Sequence, residues 1–310
     1  MEIVRYAERD TRAVHAGVRH EGRVRPVKGV ATLADLLTLP LDALRARVED
    51  AAGDAGRPVG EVLVLPPVDG LTEVWASGVT YERSMDARVE ESQGQDAYTR
   101  VYGAERPELF VKCPAWRTVT DGEPIGVRED SSATVPEPEL ALVVNRQGEI
   151  VGYAACDDLT ARDLEAENML YLPQAKTYAG SFALGSGIRP AWEVPDPYAL
   201  GISATVHRDG GVAWAAETST AHLHRPYTDL VEHLVQPLDL PFGALLATGT
   251  GIVPELDFTL RPGDVVDIAI DAVGRVSNPV QRGREAFGWL TEALSDPFAR
   301  ESVRQEAGST

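Results

Sequence analysis

Residues 135–185 of this 310-residue chain read V-P-E-P-E-L-A-L-V-V-N-R-Q-G-E-I-V-G-Y-A-A-C-D-D-L-T-A-R-D-L-E-A-E-N-M-L-Y-L-P-Q-A-K-T-Y-A-G-S-F-A-L-G. Two apolar runs flank the turn at 145–148, and this pattern predicts a β-hairpin. Glu137 and Glu139 lie two residues apart beside the first run, so in a strand their side chains share one face. Asp158 follows the second run, and the return of the hairpin brings it close to these glutamates.

The three acids have no histidine or cysteine pattern beside them that would complete a zinc site. Carboxylate oxygens favour Mg²⁺, with Mn²⁺ or Ca²⁺ as alternatives, because these hard cations prefer oxygen ligands. A plainer interpretation is that the two glutamates decorate the solvent side of an edge strand. In that case Asp157, Asp158 and Asp163 complement a helix N-terminus near Thr160.

Several motifs in this stretch resemble those of the fumarylacetoacetate hydrolase superfamily. They are P-E-x-E-L-A-L-V from Pro136, G-Y-x-x-x-x-D-L-T-A-R-D from Gly152, the lysine Lys176, and A-L-G at 183–185. The string A-R-D-L-E-A-E-N-M-L-Y-L-P-Q-A-K at 161–176 is similar to a branch that includes 2-keto-3-deoxy-D-arabinonate dehydratases and related sugar-acid proteins. The resemblance runs from about 75 to 280 and implies a β-roll catalytic domain and a homodimer.

The pattern of the rest of the chain predicts a β-rich α+β protein, because strands at hairpin spacing outnumber long helices. Residues 1–70 are expected to form a small N-terminal α+β domain, and 71–310 the catalytic domain. The charged segment 78–108 is either a lid over the site or an ordinary exposed helical hairpin. The polar tail at 301–310 is expected to be disordered.

Composition excludes some partners. The net charge of −19 argues against binding to nucleic acid or to an anionic membrane surface. No signal peptide or membrane span is indicated, so the sequence predicts a cytoplasmic protein. Its two cysteines, Cys113 and Cys156, do not imply a disulfide framework.

A divalent cation on three carboxylates keeps positions open for the carboxylate and ketone oxygens of a 2-keto acid. It then acidifies the C3 proton, so that a base forms a metal-stabilised enolate. Lys176 is the candidate base, although a lysine there could also be an ordinary surface residue.

The family resemblance implies a role for each site residue. It assigns Glu137, Glu139 and Asp158 to the metal, Lys176 to proton abstraction and Glu108 to assistance in proton transfer. Binding of the substrate carboxylate falls to Thr250 with Gly249, and to Arg162. Arg162 could instead pair with Asp158 or Glu165 as scaffolding.

One departure from the family pattern concerns the reaction type. Members that hydrolyse the carbon–carbon bond of acylpyruvates carry a histidine three residues after an N-Y motif, and Ser84 stands at that position here. Elimination needs only an acid near the leaving group. We therefore expect dehydration of a 2-keto-3-deoxy sugar acid, with the pentonate giving 2-oxoglutarate semialdehyde. The alternatives are an acylpyruvate hydrolase and a non-catalytic protein that binds a metal and a keto acid.

Overall fold

A computed structural model describes residues 1–91 and 95–307, and β-strands dominate it. The N-terminal residues form an antiparallel sheet of order β4-β3-β2-β1-β5. Its strands are β1 (Glu2–Glu8), β2 (Val14–His20), β3 (Arg23–Pro26), β4 (Arg57–Pro58) and β5 (Val62–Leu65). The helices α1 (Leu33–Leu36) and α2 (Leu41–Gly53) pack against β2. Thr32 and Asp35 form a capping box that fixes the start of α1.

The central sheet carries the hairpin that the sequence predicts. Its order is β7-β6-β18-β11-β12-β14-β8, with β15 paired to β12 at one side. The strands are β6 (Glu73–Ala76), β7 (Phe110–Pro114), β8 (Val119–Thr120), β11 (Pro138–Val144), β12 (Ile150–Asp158), β14 (Phe182–Leu184), β15 (Arg189–Pro190) and β18 (Ala244–Ala247). Strands β11 and β12 pair antiparallel, so the predicted hairpin is confirmed.

A third sheet has the order β17-β16-β19-β20-β9, and a short pair joins β10 to β13. These strands are β9 (Ile125–Val127), β10 (Thr134–Val135), β13 (Thr160–Ala161), β16 (Gly201–Arg208), β17 (Gly211–Ser219), β19 (Val265–Ile270) and β20 (Gly274–Arg282). The remaining α-helices are α3 (Glu82–Glu91), α4 (Gln95–Tyr102), α5 (Arg162–Glu167), α6 (Leu172–Lys176), α7 (Tyr227–Val235), α8 (Trp289–Glu292) and α9 (Ala299–Ala307). Short 3₁₀ turns lie at Val59–Glu61, Ala115–Arg117, Met169–Tyr171, Ala191–Glu193, Thr220–His222 and Arg284–Phe287.

The central sheet is buried on both faces, which explains why residues 140–144 of β11 are all apolar. Leu140 and Leu142 belong to the core shared with the third sheet, whereas Ala141 and Val143 belong to the core shared with the N-terminal residues. Successive side chains of β11 therefore point alternately into two apolar cores, one on each face of the central sheet. A rigid central sheet of this kind is a suitable support for a site at the end of its strands.

The N-terminal part shares its core with the rest of the chain. Val18 and Leu44 lie in one apolar cluster with Val143 and Leu245. The predicted division near residue 70 stays a prediction. Within 1–91 and 95–307, no helix is both long and apolar enough to cross a membrane.

The prediction that residues 301–310 are disordered is wrong for 301–307, which lie in α9. The physical reason is Glu123, a fully buried carboxylate that needs positive partners. Arg300 and Arg304 each place a guanidinium nitrogen 2.6 Å from one of its oxygens. Residues 308–310 lie outside the described part of the chain.

Candidate active site

The hairpin places the three predicted acids together. Glu139 pairs with Cys156 across β11 and β12, and the amide of Asp158 donates to the carbonyl of Glu137 at 3.0 Å. Glu137, Glu139 and Asp158 each offer an oxygen within 4.8 Å of the others. The edge-strand interpretation is wrong, because β11 lies between β12 and β18 and the glutamates are 7% and 1% exposed.

Lys176 points into this cluster from the end of α6. Its Nζ lies 2.6 Å from Oε2 of Glu137 and 3.0 Å from Oδ2 of Asp158. Burial opposes its charge, but the carboxylates of Asp158 and Glu137 outweigh burial and raise the pKa of Lys176. The interpretation of Lys176 as a surface residue is therefore wrong. The carboxylates of the cluster stabilise a positive charge placed beside them.

The cluster fits a divalent cation by its donor chemistry. Burial, followed by the charges of Asp158 and Glu137, raises the pKa of Glu139 well above its usual value. Burial also opposes ionisation of Glu137, yet Lys176 and Arg88 lower its pKa to about 2. A hard divalent cation, which prefers oxygen ligands, would supply positive charge beside Glu139 and so favour its ionised form.

Glycine at position 249 is required by this arrangement. Its amide donates to Oε2 of Glu139 at 2.7 Å. Its φ is +89°, and a Cβ there would lie 2.0 Å from Oγ1 of Thr80. Gly249 thus orients a proposed metal ligand in this structure, and its expected contact with substrate stays a prediction.

Lys112 is a site residue that the sequence analysis missed. Its Nζ lies 2.5 Å from Oδ1 of Asp158 and donates to the carbonyls of Leu159 and Lys176 at 2.9 and 2.6 Å. The side chain is fully buried, whereas its apolar neighbour Val111 is 51% exposed. Asp158 is therefore held between two lysines, one on each oxygen.

Glu108 lines the same cleft as Glu137, Glu139 and Lys176, and its role in proton transfer stays a prediction. Burial raises the pKa of its carboxyl group. A Cβ on Gly78 would lie 2.1 Å from its Oε2, so glycine at that position makes room for the acid. The hydroxyl of Ser77 donates to the Glu108 carbonyl at 2.8 Å and fixes the backbone there.

Arg88 and Glu165 also line the cleft, and neither was predicted to do so. Nη2 of Arg88 lies 2.7 Å from Oε1 of Glu137 and 3.0 Å from Oε2 of Glu165. Burial raises the pKa of Glu165 to about 7. One signal was available: Ser84 and Arg88 are four residues apart on α3, so they share a helix face.

The two remaining predicted residues, Thr250 and Arg162, lie in different places. Thr250 lines the cleft, and its hydroxyl donates to the carbonyl of Ile252 and accepts from the amide of Ile252. Arg162 instead donates to the carbonyls of Pro254 and Glu255 at 2.7 and 2.9 Å. The structure thus places Arg162 beneath a loop and not in the cleft wall, and its contact with substrate stays a prediction.

Ser84 is the residue that the family resemblance sets against the histidine expected of hydrolytic members. Its hydroxyl donates to the carbonyl of Tyr81 at 2.7 Å near the start of α3. The residues that line the cleft, taken over the described part of the chain, include no histidine. The cleft wall supplies carboxyl, ammonium and guanidinium groups instead.

The fold and the acidic cluster define the class of protein. Residues 73–281 match the family model described as fumarylacetoacetate (FAA) hydrolase, C-terminal. The chain belongs to the fumarylacetoacetate hydrolase family, and the predicted β-rich family fold is confirmed.

Individual proteins similar to this chain include dehydratases of 2-keto-3-deoxy sugar acids. The chain is 42% identical over 272 residues to a probable 2-keto-3-deoxyxylonate dehydratase of Haloferax volcanii, covering 87% of this chain and 91% of the relative. It is 41% identical over 231 residues to a 2-dehydro-3-deoxy-D-arabinonate dehydratase of Saccharolobus solfataricus, covering 73% and 77%. A solved 2-keto-3-deoxy-D-arabinonate dehydratase, complexed with magnesium and 2,5-dioxopentanoate, matches with a TM-score of 0.77 at 33% identity. That match covers 92% of this chain and 100% of the solved chain.

Proposed function

We propose that this protein is a divalent-metal-dependent hydro-lyase that dehydrates a 2-keto-3-deoxy sugar acid. With a 2-keto-3-deoxypentonate the product is 2-oxoglutarate semialdehyde, which is 2,5-dioxopentanoate. The observation that carries this proposal is the buried amine of Lys176 beside two of three clustered carboxylates. The dehydratase names of the relatives and the magnesium complex of the matched structure support it.

Glu137, Glu139 and Asp158 are the residues that would hold the cation. We propose Mg²⁺, with Mn²⁺ or Ca²⁺ as alternatives, because all the donors are carboxylate oxygens. When bound, a divalent cation supplies Lewis acidity that makes the C3 protons of a 2-keto acid easier to remove.

We propose that Lys176 takes a C3 proton of the substrate. It must enter this step as the free amine, which requires that Glu137 and Asp158 receive positive charge from another group. Glu108, whose pKa is raised by burial, can then donate a proton to the C4 hydroxyl. The C3–H and C4–O bonds break, a C3–C4 double bond forms, and one water leaves.

The semialdehyde follows by movement of protons alone. Removal of a C5 proton and return of a proton to C3 convert the C3–C4 double bond into a C4–C5 enol. That enol becomes the C5 aldehyde. The sum is loss of one water from the pentonate, so no oxidant or reductant is needed.

Ser84 favours elimination over hydrolysis. Hydrolysis of an acylpyruvate needs a base for water, and the histidine that serves hydrolytic relatives is replaced by a hydroxyl that is bound to the Tyr81 carbonyl. Acylpyruvate hydrolysis remains the alternative activity, with Glu108 positioning water. A non-catalytic protein that binds a metal and a keto acid is the second alternative.

The test is to incubate the purified protein with a 2-keto-3-deoxypentonate and to follow 2,5-dioxopentanoate by NMR, with Mg²⁺ and with a chelator. We expect product with Mg²⁺ and none with the chelator. Turnover that survives chelation would contradict the metal requirement. Cleavage of fumarylpyruvate under the same conditions, without dehydration, would favour the hydrolase. Thermal stabilisation by keto acids without any turnover would favour the binding protein.

Three further proposals rest on the family and on composition. Thr250, Gly249 and Arg162 contribute to substrate binding, the protein is a homodimer, and it is cytoplasmic. Sedimentation equilibrium of the purified chain at micromolar concentration tests the dimer, because the measured mass distinguishes 33.4 kDa from twice that value.

A further inference from the structure

A charged pair in the cleft wall is left without a role in the proposed reaction. Nη2 of Arg88 lies 3.0 Å from Oε2 of Glu165, and both side chains line the same cleft as Glu108 and Lys176. The Arg88 side chain is 13% exposed and that of Glu165 is 6% exposed. Both groups are therefore largely removed from water, where an unmatched charge is costly.

Glu165 also has a hydrogen-bonding oxygen that the described protein does not satisfy. Its Oε2 is in ion-pair contact with Arg88, yet it accepts no hydrogen bond from the described residues. A buried carboxylate oxygen in a native protein is normally hydrogen-bonded. Because Glu165 lines the cleft, a donor on a ligand is a suitable partner for this oxygen.

The proposed chemistry leaves one polar group of the substrate unassigned. The proposed metal ligands and Lys176 act on carbons 1 to 3, and Glu108 acts on the C4 hydroxyl. The C5 hydroxyl of a pentonate remains. A hydroxyl both donates and accepts, and a carboxylate beside a guanidinium offers the matching acceptor and donor.

Given the proposed function, we propose that Arg88 and Glu165 bind the C5 hydroxyl of the substrate and thereby select hydroxylated keto acids. Oε2 of Glu165 accepts a hydrogen bond from the C5 hydroxyl, and the guanidinium of Arg88 donates a hydrogen bond to the hydroxyl oxygen. A substrate without this hydroxyl leaves Oε2 of Glu165 without a hydrogen-bond donor in a buried site, which is the arrangement that gives strong discrimination.

The test compares two substrates that differ in one atom. 4-Hydroxy-2-oxopentanoate keeps the C4 leaving group but carries hydrogen in place of the C5 hydroxyl. We expect the wild-type kcat/KM to favour the pentonate by on the order of 10- to 100-fold, as for a hydrogen bond to a charged group. Arg88→Met should lower kcat/KM for both substrates, because Arg88 also lies 2.7 Å from Oε1 of Glu137. The ratio of the two values, pentonate over deoxy analogue, should in addition fall by about that factor.

Two variants complete the design. Glu165→Gln keeps the size of the side chain and should lower the preference by roughly fivefold or more, so it carries the comparison if Arg88→Met does not fold. Arg83→Met is the matched control, because Arg83 is an exposed arginine on the same helix outside the cleft lining. It should keep the wild-type preference.

The outcomes separate the two proposals. Equal turnover of both substrates by the wild type, or an equal fall for both in Arg88→Met, would overturn the assignment of the C5 hydroxyl and leave dehydration standing. Wild-type protein that dehydrates neither substrate with Mg²⁺ would overturn the proposed function, and the assignment with it.

Discussion

Nζ of Lys112 lies 2.5 Å from Oδ1 of Asp158, and both side chains are buried in the middle of the molecule. Besides this ion pair, the ammonium group donates hydrogen bonds to two backbone carbonyls, those of Leu159 and Lys176. A lysine that the proposed chemistry does not consume therefore fixes both a proposed metal ligand and the backbone of the proposed base.

Removal of the Lys112 charge should destabilise the protein strongly. Lys112→Met removes the ion pair at Oδ1 of Asp158 and the donor to two carbonyls, and breaking a buried ion pair costs about 3–5 kcal/mol. Urea unfolding at fixed Mg²⁺ measures the loss. Lys28→Met is the control, because the Lys28–Asp54 pair lies on the surface and its loss should be undetectable. Equal stability of the two variants would contradict the structural role of Lys112.

Lys176 and Asp158 should separate metal binding from catalysis. Lys176→Met removes the proposed base but leaves the three carboxylates, so Mg²⁺ should still raise the melting temperature while turnover falls about 10²- to 10⁴-fold. Asp158→Asn removes a proposed ligand, and we expect this variant to lose both the stabilisation by Mg²⁺ and the turnover. Thermal unfolding with and without Mg²⁺, beside an assay of pentonate dehydration, measures them. Wild-type turnover in Lys176→Met would remove the lysine from the mechanism.

Two glycines with nearly the same backbone angle allow a matched test of the support for Glu139. Gly249 has a φ of +89° and Gly263 a φ of +91°, but a Cβ meets Thr80 and Ser77 at the first position and nothing within 4 Å at the second. Gly263→Ala should cost about 1–2 kcal/mol through backbone strain alone. Gly249→Ala should cost about 1–3 kcal/mol more through overpacking.

Activity should distinguish these glycines further. Displacement of the Gly249 amide removes the 2.7 Å hydrogen bond to Glu139. We therefore expect Gly249→Ala to need more Mg²⁺ for half-maximal turnover, whereas Gly263→Ala keeps the wild-type requirement. An unchanged Mg²⁺ requirement in Gly249→Ala would show that Glu139 does not depend on this amide.

The sequence could predict the acidic cluster because its geometry is local. A turn at 145–148 returns one strand beside the other, and pairing in register then brings Asp158 to Glu137. The fold family followed from motifs within the same stretch. Both predictions depend on residues that are neighbours in sequence or one hairpin apart.

The groups that the sequence missed depend on distant partners. Arg88 meets Glu137 from 49 residues away, and Arg300 meets Glu123 from 177 residues away. The local sequence of a charged helix or of a polar tail does not show whether its arginines contact a distant buried carboxylate in the fold. At Lys112 the local pattern is misleading, because the apolar Val111 faces outward and the charged side chain faces the core.

Asp163 should give a stability difference that depends on pH. Burial opposes its charge, but hydrogen bonds from Ser131 and from the amide and hydroxyl of Ser132 outweigh burial and lower its pKa. A carboxyl group with a lowered folded pKa stabilises the protein above its unfolded pKa of about 3.9, and this contribution is lost as the pH falls through the folded value.

Asp163→Asn should therefore be less stable than wild type at pH 7, by on the order of 1 kcal/mol, because the charge-assisted hydrogen bonds are lost. The difference should stay constant down to about pH 4 and close below it, since protonated Asp163 then resembles the amide. Urea midpoints of both proteins between pH 2.5 and 7, roughly spanning this carboxyl titration, measure the difference. A gap that persists at the acid end would show that Asp163 acts through packing and not through its charge.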